Sequence, residues 1–114
     1  MAIDESTRKT KIELAELKEK ISDFLYKQFI DFERDKGVLI NKVELHPSFF
    51  LNKYGIIIDC FRMAKPGNPD YEKAAKLYSE DGVKFMTMDV GNLLSKNIAE
   101  TLKAKLGGMG VDIR

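Results

Sequence analysis

Apolar residues recur at steps of three and four over the first third of the chain, from about Arg8 to Asp35. This spacing is typical of one face of an amphipathic helix. The face consists of Ile12, Leu14, Leu17, Ile21, Phe24, Leu25, Phe29 and Phe32. Gly37 marks the predicted helix end, and a helix of about 40 Å should lie across a sheet. Leu14 to Phe24 also obey heptad spacing, so an intermolecular helix seam is the alternative to core packing.

The middle of the chain, Val38 to Met63, predicts two β-strands joined by a loop with an aromatic tip. The first strand alternates apolar and polar residues up to His46, and the second, Tyr54 to Met63, is apolar on both faces at its centre. A hairpin whose paired residue numbers sum to about 100 places Leu39 opposite Phe61 and Val43 opposite Ile57. This register produces a clean apolar face for the first helix to cover, whereas a one-residue slip would break that face.

The last half of the chain predicts a helix, a strand and a second helix. Asn68 and Pro69 have the residue types of a cap and first helical position, so a helix should run from Pro69 to about Ser79, where Asp81 and Gly82 end it. Val83 to Met88 alternates as a third strand, and parallel pairing with the second strand follows from the helical crossover. The last helix should span about Leu93 to Leu106. The predicted class is α+β in the order α-β-β-α-β-α, with a long N-terminal helix on a small mixed sheet.

The glycines at 107, 108 and 110 resemble the short GxxG loop of K-homology RNA-binding domains, in which that loop joins two helices. The opening order of helix, strand, strand and helix is also similar to that family. Only four residues follow the glycines in this chain, so we interpret them as the stop of the last helix.

Composition predicts a single domain over residues 1–114, with residues 1–7 frayed. The chain is 44% hydrophobic and 32% charged with a formal net charge of +1, which is typical of a globular protein without a strong global field. One cysteine excludes an internal disulfide framework, and no leader or spanning segment is visible. We therefore expect a small soluble cytoplasmic protein that contacts no membrane. Its size and style are those of accessory proteins from viral or mobile genomes.

Candidate catalytic residues are few. The hairpin register separates Cys60 from His46, the single histidine, by roughly 20 Å along the strand, which is too far for a dyad or a shared metal. Asp59 interrupts an apolar strand and has two interpretations: a general acid or base, or an acid whose hydrogen bonds are satisfied by a neighbour such as Asn41 or Lys42. We favour the second interpretation and predict no enzyme activity, no cofactor and no metal.

The leading hypothesis is a non-enzymatic interaction or accessory module that forms a homodimer. Phe49, Phe50 and Leu51 lie in the predicted hairpin loop and either tuck under a helix end or contact a partner. A second sheet face with Val38, Ile40, Ile56 and Ile58 could pair with its own copy. If the last two helices cover that face instead, the protein is a monomer.

The alternative hypothesis is a nucleic-acid-binding protein. Its cations would be Lys42, Lys53, Arg62, Lys65 and Lys84 around the sheet. Phe49, Phe50 or Tyr54 would stack on bases. Glu44 and Asp59, interleaved with these cations, and the net charge near zero make this hypothesis the weaker of the two.

Overall fold

The computed structural model describes residues 5–94 and 98–113 of the chain. Residues 1–4, part of the segment predicted to fray, residues 95–97 and residue 114 lie outside this description. The elements are α1 (Glu5–Lys27), β1 (Glu33–Arg34), β2 (Val38–Ile40), β3 (Val43–Leu45), β4 (Phe49–Leu51), β5 (Ile56–Phe61), α2 (Pro69–Asp81), β6 (Lys84–Asp89), α3 (Gly91–Leu94) and α4 (Ile98–Gly108). The α+β class predicted from the sequence is confirmed.

The first helix is shorter than predicted, because α1 ends at Lys27 and the chain then reverses direction. The amide of Gln28 donates to the Phe24 carbonyl, and the amide of Ile30 donates to the Leu25 carbonyl. Phe29 lies between them in the left-handed region, with φ +59°. This arrangement is the usual way in which a helix ends on a left-handed residue. The predicted helix end at Gly37 is wrong, because Glu33–Arg34 already belongs to a strand.

A four-stranded mixed sheet forms the centre of the molecule in the order β1-β4-β5-β6. Strands β1 and β4 are antiparallel, as are β4 and β5, which pair Phe49 with Ile58. The predicted parallel pairing of the second and third strands is confirmed: β5 and β6 run parallel, with Ile56 opposite Lys84 and Phe61 opposite Asp89.

The predicted hairpin between residues 38–46 and 54–63 is wrong. Residues 38–45 fold back on themselves as the separate hairpin β2-β3, in which Val38 pairs with Leu45 and Ile40 with Val43. Asn41 and Lys42 form its two-residue turn with φ of +49° and +66°, the positive values that a type I′ turn requires. Strand β5 pairs instead with Phe49–Leu51, the segment that we had predicted to be a loop.

Both faces of the sheet are covered. Helices α1 and α4 pack on one face, where Ile56, Ile58, Met86 and Met88 join the larger core cluster. Helix α2 and the β2-β3 hairpin cover the other face around Ile57, Tyr78 and Ile40. No helix in the described ranges is long and apolar enough to cross a membrane.

The connections after β5 follow the predicted elements closely. Asn68 caps α2: its Oδ1 atom accepts from the Asp70 amide at 3.1 Å, and Gly82 ends the helix with φ +76°. The predicted single last helix is divided into α3 and α4, and its middle falls on residues 95–97, outside the description. Helix α4 ends at Gly108, close to the predicted glycine stop.

Candidate functional site

Asp59, the acid that interrupts strand β5, lies at the centre of a hydrogen-bonded cluster between the sheet and α2. Its Oδ1 atom accepts from the Ser48 amide at 3.2 Å, from the Ser48 hydroxyl at 3.3 Å and from the Cys60 amide at 3.1 Å. Its Oδ2 atom accepts from the Tyr78 hydroxyl at 2.8 Å. Both carboxylate oxygens are therefore engaged inside the chain, although not by Asn41 or Lys42.

The strand register explains this cluster. Because Phe49 pairs with Ile58, Ser48, the residue directly before β4, lies beside Asp59. Asn41 contacts the last residues of α2 instead: its amide donates to Asp81 at 3.2 Å, and its side chain donates to Glu80 at 3.3 Å. The cluster around Asp59 thus fixes α2 against β5 through groups that the sequence pattern did not bring together.

The titratable neighbours of Asp59 are held in their protonated forms. Burial raises the pKa of the Cys60 thiol from 9.0 to about 12, against a smaller lowering by the hydrogen bond to Ser48. Burial, with the adjacent Asp59 carboxylate, raises the pKa of the Tyr78 hydroxyl well above its usual value of 10.0. A thiol in this state is a poor nucleophile, because the thiolate is the reactive form.

His46 lies apart from this cluster. Its Nδ1 atom is 3.2 Å from the Asp35 carbonyl oxygen, and its Nε2 atom is 3.9 Å from a Glu44 carboxylate oxygen. Across the described part of the chain, no group of three or more histidine, cysteine, aspartate or glutamate residues is arranged to hold a metal ion. The described contacts thus bring no base to Cys60.

Most residues predicted to bind a partner lie inside the chain. Phe49, Leu51, Ile56 and Ile58 are fully buried, and Ile40 is nearly so. Val38 and Phe50 are half-buried against the cluster under α2. The residues expected to form one face that pairs with a copy lie on two sides of the sheet: Ile56 and Ile58 are covered by α1 and α4, whereas Val38 and Ile40 pack in the cluster under α2.

The five predicted nucleic-acid cations are distributed over two ends of the sheet. Lys84 lies opposite Ile56, at the beginning of β5, and Lys53 lies in the turn that precedes that strand. Arg62 and Lys65 follow the end of β5, about 20 Å away for a strand of six residues. Lys42 lies in the hairpin turn whose neighbour Asn41 contacts Glu80 and Asp81. These five cations form no continuous basic surface.

A cleft of about 410 Å³ opens where β5 leads into α2. Parallel strands often carry ligand sites at this end. Here, however, two backbone donors already have partners: the Asp70 amide donates to Asn68, and the Gly67 amide donates to Glu72 at 2.9 Å. Asp70 and Glu72 also place negative charge in the first turn of α2. The lining holds one basic and one acidic residue, Arg62 and Asp70, so the cleft carries no excess of positive charge.

The open side of β6 is a more distinctive surface, and sequence reasoning missed it. Strand β6 has six residues and is the last strand in the sheet order of the described chain, so one of its edges has no neighbouring strand. A groove of about 470 Å³ runs beside it. The lining consists of Phe85, Met86 and Thr87 from β6 and Ala104, Lys105, Gly108 and Met109 from α4 and the residue after it.

The side chains around this groove leave room for an extended segment. Met86 is buried in the core, which fixes the strand, whereas Phe85 and Thr87 are half-buried. Ala104 and Gly108 are the small residues of the α4 wall, and a Cβ atom added to Gly108 would meet nothing within 4 Å. The alternation of residues 83–88 predicted the strand but not its open edge, because the strand order of the whole sheet decides which strand lies at the edge.

Comparison with protein-family models, with curated proteins and with solved structures finds no match.

Proposed function

We propose that this chain is a non-enzymatic interaction module that binds a partner by adding an extended segment to the open edge of β6. The supporting observation is a six-residue edge strand that borders a groove of about 470 Å³. Main-chain groups of such a strand can pair with an incoming segment, while pockets beside it accept alternate side chains.

Edge strands in monomeric proteins are usually short, charged or covered, because an open edge also pairs nonspecifically. Of the two outer strands, β1 has only two residues and both are exposed and charged. Strand β6 is three times as long and carries Phe85, Met86, Thr87 and Met88 between its charged ends. The two edges thus differ in the way expected if β6 alone receives a partner.

The test uses bulky substitutions on α4. A library of displayed extended peptides is selected on the wild-type protein, and the selected peptides are measured on two variants. Ala104→Trp places an indole over the groove, and Ala99→Trp places it on an exposed position of the same helix outside the groove lining. We expect Ala104→Trp to weaken binding at least tenfold and Ala99→Trp to leave it unchanged. Equal binding by both variants would contradict the proposal.

Homodimer formation, predicted from the sequence, stays a prediction and needs a separate measurement. Light scattering over a range of concentrations distinguishes a mass of 13.0 kDa from twice that value. If the dimer forms, amide exchange should show protection on the residues of its interface.

A further inference from the structure

We infer that the segment bound at the β6 groove carries an acidic side chain beside Lys105 and apolar side chains against Ala104 and Met109. This inference rests on the proposed function and adds the chemistry of the partner. On the α4 side of the groove the accessible apolar residues are Ala104 and Met109, and Lys105 is the one charged residue of the lining. An extended segment that carries both acidic and apolar side chains can contact Lys105 and the apolar part of the lining together.

The charges around the groove favour an acidic partner. Lys105 is exposed and makes no ion pair within the described ranges. Lys84 begins β6 and is also exposed. The acid at the other end of the strand, Asp89, is already engaged: its oxygens accept from the Ala64 and Gly91 amides, each at 3.0 Å.

Glu100, the acid of α4 that precedes the groove residues, is also neutralised in part. Glu100 lies 3.9 Å from the ammonium group of Lys103, one turn before the groove. Exposed charges steer and select partners more than they add affinity, so these lysines should set the preference for charge. Methionine side chains adapt to different apolar partners, which is consistent with Met109 contributing little sequence selectivity.

A second copy of this chain fits the groove less well. Antiparallel pairing of β6 with its copy requires a two-fold axis perpendicular to the sheet. That axis would bring both α4 helices to the same face, next to the shared edge. Lys105 lines the groove beside this edge, so the Lys105 side chains of both copies would lie on the same face of the joined sheet, and like charges across an interface are unfavourable. A different segment of acidic character avoids this repulsion.

The experiment uses three synthetic peptides, each about nine residues long, within the usual span of a strand. Every third residue is glutamate in the first peptide, glutamine in the second and lysine in the third, with valine or threonine elsewhere, so both faces carry charged and apolar side chains. Binding to the full chain is followed by chemical-shift changes of the β6 amides. The variants are Lys105→Glu and, as the matched control on the same helix outside the groove lining, Lys103→Glu.

We expect the glutamate peptide to shift the β6 amides and to bind more tightly than the lysine peptide. Lys105→Glu should weaken the glutamate peptide roughly fivefold or more and strengthen the lysine peptide, an effect that shrinks as salt is raised. Lys103→Glu should change either affinity by less than about twofold.

Two results would overturn the inference in distinguishable ways. If all three peptides shift the β6 amides with equal affinity, the groove binds extended segments without an acidic preference, and the interaction module stands. If no peptide shifts them and light scattering gives a dimer with protected β6 amides, the edge is occupied by a second copy. In that case the acidic partner is excluded while self-association is supported.

Discussion

Phe29 occupies the position after α1 at which helices most often carry glycine. Its φ is +59°, and its side chain is 76% exposed. Bulky residues are strained in this region of backbone space, because the Cβ atom crowds the neighbouring carbonyl. Retaining an exposed aromatic residue at a strained position therefore lowers the free energy of unfolding relative to glycine.

Phe29→Gly should raise the free energy of unfolding by about 1 kcal/mol, because the strain is relieved while little buried area is lost. Phe29→Ala is the control, since it removes the ring but keeps the Cβ atom, and it should give no gain. Urea unfolding measures both variants. A loss of stability in Phe29→Gly that matches the loss in Phe29→Ala would mean that ring contacts outweigh the backbone strain.

The Asp59–Tyr78 hydrogen bond offers a second test at this scale. Tyr78→Phe should lower the free energy of unfolding by about 2 kcal/mol, because a buried hydrogen bond to a carboxylate is lost and Asp59 keeps one partner fewer. Tyr71→Phe on the same helix is the matched control: its ring packs edge-on against Phe61, and the change should cost less than about 0.5 kcal/mol. A double-mutant cycle with Asp59→Asn should give a coupling of about 1 kcal/mol or more. Additive effects would contradict the coupling.

At the scale of elements, helix α2 shows how local signals determine a boundary. Asn68 accepts from the Asp70 amide, and its side-chain nitrogen donates to the Met63 carbonyl at 2.8 Å. Asn68→Ala should lower the free energy of unfolding by about 1 kcal/mol, as expected for a lost cap. Asn68→Asp keeps the capping oxygen and should lose less than half as much, measured by the urea midpoint. Equal losses would assign the effect to the Met63 contact instead of the cap.

The same contrast between local and non-local information explains which elements could be predicted. The cap at Asn68, the stop at Gly82 and the alternation of β6 are properties of neighbouring residues, and the predicted α2 and β6 are confirmed. The pairing of β5 depends on which distant segment reaches it. Period-two alternation across residues 38–45 placed Leu39 inside, whereas the turn at Asn41 and Lys42 changes the parity and leaves Leu39 73% exposed.

The candidate site was less predictable than the fold for a related reason. A pattern of apolar residues identifies which side chains are buried, but it does not say whether a helix of the same chain or a partner covers them. Ile56 and Ile58 have the composition of an interface and are interior residues under α1 and α4. The edge of β6 is defined by the strand order of the whole sheet, which no stretch of the sequence contains.

At the scale of the whole molecule, burial of titratable groups on the covered sheet makes the free energy of unfolding fall at alkaline pH. The folded chain holds the Cys60 thiol with a pKa of about 12 against an ordinary value of 9.0, and it raises the pKa of the Tyr78 hydroxyl above 10.0. The unfolded chain releases these protons at lower pH than the folded chain. The stabilisation is therefore complete below about pH 9 and decreases as pH rises toward the folded pKa values.

We expect the free energy of unfolding to be level near pH 8 and to fall above pH 9, with each group contributing at most about 1.4 kcal/mol per pH unit. Cys60→Ser removes the thiol and should flatten the fall that begins near pH 9, whereas Tyr78→Phe should flatten the part above pH 10. Urea unfolding at a series of pH values measures the slopes, and the ultraviolet absorbance of the thiolate reports ionisation of Cys60 directly. The prediction would be contradicted if Cys60→Ser had the same slope as the wild type and the folded protein already showed thiolate absorbance near pH 9. Cys60 would then ionise near its ordinary pKa, which would mean that the region between β5 and α1 admits water.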